Sequence, residues 1–292
     1  GAARENSPDR LRADFRRMCD PETPMAVKAC ETAILRNCVS LSGDMRGARI
    51  IVGADSARGR AATRETPMNL DKAVQERRSI RGFKKDAVPK ALIREIIEIA
   101  MRSPSSMNCQ PWNFTVLSGE PLDRIRQGNT ERNLAGVPHS REFRLGEAFA
   151  GQHRERQVEV AKQLFSAMGI EREDKEGRTD WVLRGFRQFD APVSIVITYD
   201  RSLHGSDDAP FDCGAVTTAL VNAAWSRGLG CVINSQGIMQ SPVVREHARI
   251  PDDEVIMSCV AMGFPADDFP ANDVVSTRRP VSEVVNFVGF DD

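Results

Sequence analysis

Three arginines and a serine, Arg77, Arg78, Ser79 and Arg81, stand within five residues in "RRSIR". Guanidiniums that stay charged at any working pH and present several fixed donors are what a phosphate monoester dianion requires. A solvated basic helix end has the same composition, so the cluster alone does not choose between the two. About 25 residues later comes "SPSSMNCQPW", Ser103 to Trp112, with two prolines, three serines, an asparagine, a glutamine and a tryptophan. Ser-Pro and Gln-Pro-Trp are ordinary turn chemistry. Asn108 and Gln110, however, each offer a donor and an acceptor, which suits the edge of a flat heteroaromatic ring bearing C=O and N–H groups. Pro104, Ser105 and Ser106 complete that loop. The order of the two motifs, with one core-type helix between them, is more specific than either motif alone.

The elements that must hold these residues are readable from period and punctuation. Asn69 suits an N-cap and Asp71 a first helical turn ahead of the arginines. In "VPKALIREIIEIAMRSP", Pro89 suits the first turn, Leu92, Ile93, Ile96, Ile97 and Ala100 form an apolar face, and Ser103-Pro104 stops the helix. "WNFTVLSG" places Trp112, Phe114 and Val116 on one side of a strand, and "APVSIVITYD", "LGCVIN" and "EVIMSCVAMGF" predict three more. "DCGAVTTALVNAAWSRG" predicts a helix closed by Gly228, whose small residues allow close approach of a helix or a second subunit. Ser241 is expected to cap a further helix, with Pro242 at its first position. Residues 131 to 189 are charged and helix-like; Phe149, Val160, Leu164 and Phe165 fall near one side there. Strands scattered among more numerous helices favour α+β over a doubly wound sheet, and "GLG" at Gly228 lacks the third glycine of a dinucleotide fingerprint.

The composition sets bounds on these readings. The chain has 292 residues, 41% of them hydrophobic, and its 40 basic residues against 41 acidic ones give no global electrostatic case for nucleic acid. No apolar run reaches membrane-spanning length, the start of the chain lacks a signal-peptide core, and cytoplasm is the expected location. Seven scattered cysteines without a C-x-x-C are expected to be reduced and mostly buried, and four histidines without ligand spacing predict no metal site. Residues 1–67 are expected to be an extension, disordered or weakly helical around "MAVKACETAILRNCVSL", with Met68 a candidate natural start. Residues 68–292 then form one domain.

Over that second part the chain resembles the nitroreductase family of FMN-dependent oxidoreductases. The resemblance rests on "RRSIRGF", "SPSSMNCQPW", "GLGCVINSQG" and the late "STRRPVSEVV", and it is greatest toward the nitrobenzoate-reductase-like branch. It implies an α+β sandwich with a central mixed, mainly antiparallel sheet flanked by helices, in an intertwined homodimer carrying FMN at the subunit interface. Arg77, Arg78, Ser79 and Arg81 would hold the FMN phosphate together with Arg279, while Arg278 would be solvated. Pro104, Ser105, Ser106 and Asn108 would reach the flavin from the opposite subunit. Ile233, Asn234 and Ser235 would pass beside its reactive edge, where a backbone N–H faces N5, although this chain has Asn-Ser-Gln before Gly237 where commoner versions differ. The implied reaction is ping-pong transfer of hydride from NADH or NADPH through flavin N5 to a nitroaromatic, possibly carboxylated, or quinone acceptor, without a side-chain nucleophile. Cys109 and Cys231, close to these motifs, would be buried packing residues, and Glu131 to Arg187 would cover the pocket. The same phosphate site and fold would also serve a reductive dehalogenase or a flavin-binding protein without turnover.

Overall fold

The run Val193–Asp200 is β-branched at most positions and buried at all but the last, so it forms a strand covered on both faces. In the computed structural model, which describes residues 68–143 and 148–290, this strand (β2) lies inside a four-stranded sheet. The others are β1 (Trp112–Leu117), β3 (Gly230–Asn234) and β4 (Glu254–Gly263), in the order β1-β2-β4-β3. All three pairings between strands are antiparallel; the parallel component is an isolated bridge from Ser79 to Cys231 on the outer side of β3.

Seven helices flank it among the described residues: α1 (Leu70–Glu76), α2 (Lys90–Ala100), α3 (Glu120–Leu134), α4 (Gly151–Ala167), α5 (Lys175–Phe186), α6 (Asp208–Trp225) and α7 (Ser241–Ala248). One face of the sheet packs Trp112, Ile195 and Ile197 against Ile93 and Ile96 of α2 and Val216 and Leu220 of α6. The other packs Leu117, Val196 and Cys259 against Leu122 and Ile125 of α3 and Val244 of α7. Each fully buried Leu or Ile contributes about 1.5–3 kcal/mol of transfer free energy, so the two cores, not the strand hydrogen bonds alone, fix the sandwich. The α+β architecture expected from the sequence is the one observed. No helix among the described residues is long and apolar enough to cross a membrane.

Local differences have physical causes. Val116 is 41% exposed while its neighbour Leu117 is buried, because the second core claims the opposite face at the end of β1. Pro89 sits one place outside α2 as its cap residue. Ser241 is the first residue of α7, with Gln240 at the cap position, and its buried hydroxyl makes no hydrogen bond among the described residues. Phe149 precedes α4 and is exposed, leaving Leu164 as the buried side chain of that helix. Asn69 caps α1 as expected, its side chain accepting the Lys72 N–H at 2.9 Å. The helix expected in the first 67 residues lies outside the described residues.

Cys259 lies at the centre of β4, fully buried, with its S–H donating to the Asn234 carbonyl at 2.9 Å. Burial pushes its thiol from 9.0 up to about 12, the Ser194 hydroxyl opposing this weakly. The unfolded chain therefore ionises at this position before the folded one does, and stability is lost as pH rises between these two values. That loss is at most about 1.4 kcal/mol per pH unit from this one group. Cys259→Ala is expected to lower Tm at pH 7 yet to show a shallower decline of Tm from pH 8 to 10; parallel declines in variant and parent would refute the assignment.

Candidate functional site

The end of α1 delivers the arginine cluster to the edge of the sheet. After Arg77 the backbone becomes extended, and Ile80 N–H donates to the Cys231 carbonyl at 3.0 Å, so "RRSIR" lies alongside β3. Ile80 is buried against Gly230, where a side chain would collide with it. The two arginines on either side of this anchor are unusual. Arg81 is half-buried, and among the described residues its guanidinium makes one hydrogen bond, from Nη1 to the Ser79 carbonyl at 3.4 Å. Arg77 makes no side-chain hydrogen bond or ion pair among the described residues. Both guanidiniums are held below the ordinary arginine range, Arg81 by burial, Arg77 by burial and then by the like charge of Arg278. Arg77 and Arg278 act on each other as like charges, Arg81 lies four residues on along the same extended segment, and the Asp273 carboxylate pairs with Arg78 at 3.8 Å, so an anion at Arg77 and Arg81 would relieve an uncompensated positive potential.

Arg78 faces elsewhere. Its guanidinium lies 5.3 Å from the Trp225 ring centroid and its Nε donates to the Asn272 carbonyl at 2.5 Å, so it braces the C-terminal turn Pro270–Asp273 against α6. The two late arginines also divide differently from the sequence expectation. Arg279 is engaged by Glu283, with Nε 3.2 Å from the carboxylate and Nη2 on the carbonyl, whereas Arg278 is the charge that acts on Arg77.

Asn272 was not singled out by any local pattern, yet it organises the cluster. Its buried amide accepts the N–H groups of Arg81 (2.8 Å) and Gly82 (3.0 Å) and donates to the carbonyls of Gly82 (2.8 Å) and Ala266 (3.1 Å). Gly82 must lack a side chain because Phe269 occupies the place of its Cβ.

The second motif is a short 3-10 turn, Ser106–Asn108, with left-handed backbone at Met107, Asn108 and Gln110. For residues other than glycine that conformation costs about 1 kcal/mol each, so the loop needs braces. Ser105 Oγ accepts the Gln110 N–H at 3.0 Å, and Asp212 of α6, almost fully buried, accepts the Ser106 N–H at 3.0 Å. Cys109 is exposed, not buried as expected, and its thiol contacts the same carboxylate at 3.6 Å. Cys231 is buried as expected. The Asn108 amide makes no side-chain hydrogen bond among the described residues and Met107 is 99% exposed, so the loop's free chemistry points outward.

At the end of β3, Ile233 is half exposed and Asn234 turns inward. The Asn234 side chain donates to the Gly185 carbonyl at 2.8 Å and accepts the Gln236 N–H at 3.0 Å, so it shapes the turn Gln236–Ile238. Beneath that turn Gln188, Phe189 and Asp190 form a left-handed run with φ near 55, flanked by carbonyls of Arg187 and Ala191 that both accept from Arg126. Gln188 packs on Gly237, where any Cβ would strike it. Sequence reasoning missed this support because no motif marks it.

The model of the Nitroreductase family matches residues 74–264. A nitrobenzene nitroreductase of Ectopseudomonas oleovorans is 32% identical over 226 residues, 75% of this chain and 96% of that protein. A 4-nitrobenzoate reductase of Pseudomonas putida is 29% identical over 229 residues, covering 76% and 97%. Among solved structures, an FMN and NADPH-dependent nitroreductase, NfnB, from Sphigopyxis sp. strain HMH superposes with a TM-score of 0.72 at 28% identity, over 76% of this chain and 100% of that one. The match spans the arginine cluster, the serine-asparagine loop and the turn after β3 alike, and the chain belongs to the nitroreductase family.

Proposed function

We propose that this chain is an FMN-dependent oxidoreductase that takes hydride from NADH or NADPH and delivers it, in a separate half-reaction, to nitroaromatic acceptors, carboxylated ones included, or to quinones. The observation that carries the reading is the pair Arg77 and Arg81, two partly buried guanidiniums with no acidic partner and with Arg278 adding a like charge. A phosphate dianion supplies the missing countercharge, and the Ser79 side chain beside them adds a hydroxyl donor. Bound FMN supplies the hydride chemistry itself, so the protein's work is binding, orientation and exclusion of water. Arg77, Arg81 and Arg278 hold the phosphate, Ser106 and Asn108 grip the polar ring edge, and the exposed face of Ile233 gives the flat system an apolar wall. Protons come from solvent.

The site needs two copies of the chain. Asp212, which holds the loop, and Trp225, which lies under Arg78, are separated along α6 by about 20 Å at ~1.5 Å per residue. In the reading proposed here the loop of one chain serves the flavin of its neighbour. Exposed Leu70 and Phe211 beside the small residues Ala215 and Ala219 fit a second copy's surface.

The full chain, purified with excess FMN, is expected to be a yellow dimer whose flavin is bleached anaerobically by NADH or NADPH and recoloured by 4-nitrobenzoate. A colourless monomer sinks the proposal. A bleached flavin that only an iodinated phenol recolours assigns the chain to dehalogenation instead.

A further inference from the structure

A cleft of about 750 Å³ opens between α4 and the first turn of α5, with the segment joining the two helices as its wall. Phe165 and Ile170 line its apolar side, and Arg154, Lys162, Arg172 and Arg178 stand around it against a single acid, Glu171. Four cations to one anion is a local concentration of charge in a chain whose net charge is −1. Some surface cations have an acid one helical turn away, as Arg124 does with Glu120 and Lys72 with Glu76. None of the four cleft cations has an ion pair among the described residues; Arg154 donates to the neutral Gln157 at 2.6 Å. The guanidinium carbon of Arg178 lies over the Phe165 ring, 4.3 Å from its centroid, and Arg178 also lines the cleft.

We infer that this cleft binds a phosphorylated adenosine, the nucleotide end of the hydride donor, and so forms a site separate from the flavin cluster. The choice of nucleotide rests on the NAD(P)H reading above; the anion preference rests on the cleft. Phosphate groups match several unpaired cations, where an aromatic carboxylate would neutralise one. The volume falls in the range of cofactor-sized sites, and a guanidinium held on a phenylalanine face offers a flat cation on which a purine stacks. In this arrangement Arg172 and Lys162 meet phosphate and Arg178 meets the base.

The test is calorimetric titration of the flavin-loaded full chain with adenosine 2′,5′-bisphosphate, adenosine and 4-nitrobenzoate, repeated with R172A/R178A and with K162Q. The bisphosphate is expected to bind, to weaken at least tenfold in the double variant and with added salt, and to weaken by a smaller factor in K162Q, while flavin content is unchanged. Lys162 and Arg172 are exposed and Arg178 is half-buried, so K162Q keeps the test open if the double variant misfolds. Equal affinity in parent and variants, no bisphosphate binding, or tighter binding of 4-nitrobenzoate through the same residues overturns the inference. Bisphosphate binding by a protein that never takes up flavin sinks the function proposed above and leaves the cleft standing; a yellow protein blind to the bisphosphate does the reverse.

Discussion

Arg81→Ala is expected to leave the purified protein nearly free of FMN, with affinity reduced by about 30- to 1000-fold. Truncating one partner of a buried, hydrogen-bonded charge pair costs about 2–4 kcal/mol, and every 1.4 kcal/mol is about tenfold. Arg81 has no ion pair among the described residues, so within the folded chain its removal loses one long hydrogen bond, to the Ser79 carbonyl at 3.4 Å, and its packing. Arg77→Ala should follow closely, and Arg278→Ala should weaken binding by a smaller factor because that side chain is exposed. Arg279→Ala should leave affinity within a few fold, since Glu283 holds that guanidinium. Arg78→Ala should act on stability through Trp225 and Asn272. Fluorescence quenching on FMN titration, at two salt concentrations, separates these cases. Arg279→Ala weakening FMN as much as Arg81→Ala would remove the phosphate assignment.

The second large effect is expected at Asn272. Asn272→Ala strands the N–H groups of Arg81 and Gly82 and the Ala266 carbonyl, each costing about 1–3 kcal/mol, while the Gly82 carbonyl keeps the Ala266 N–H at 3.0 Å. Part is recovered by relaxation, leaving a loss of about 3–5 kcal/mol, near the upper end for single substitutions. In a domain of this size that lowers Tm by about 8–15 °C, which circular dichroism of the flavin-free protein would read. Asn272→Asp provides the contrast: it keeps an acceptor for Arg81 and Gly82 but sets a carboxylate beside the arginines. It should lose less stability than the alanine variant and more flavin affinity. An unchanged Tm in Asn272→Ala would show that the amide is not the tie described.

What could be read in advance follows a physical line. The four strands, the cap at Asn69 and the end of α6 at Gly228 are written in neighbours, through β-branching, short polar caps and glycine's left-handed freedom. The arginine cluster was legible for the same reason, its members lying within one turn. Asn272 and Asp212 act on partners about 190 and 106 positions away, and no periodicity carries that distance. Adjacent Arg278 and Arg279 have identical local character, and in the fold Glu283, one helical turn on, engages Arg279 while Arg278 acts on Arg77. Cys109 was expected inside because cysteine commonly is; the strained turn carries it outward. In the charged insert the sequence displayed many arginines without saying which would lack an acid, and that selection depends on how α4 and α5 fold back on each other.

Helix α6 touches a support of each motif: Asp212 near its start steadies the loop, and Trp225 at its end lies under Arg78, which braces the turn Pro270–Asp273 beside the other arginines. In the dimer proposed above, the loop belongs to one flavin and the arginines to the other. A single stiff rod then takes part in two centres, and a tilt of it shifts the surroundings of both prosthetic groups together. Symmetry gives the neighbouring rod the same two attachments, so in that dimer a substitution that loosens α6 is expected to disturb both centres at once.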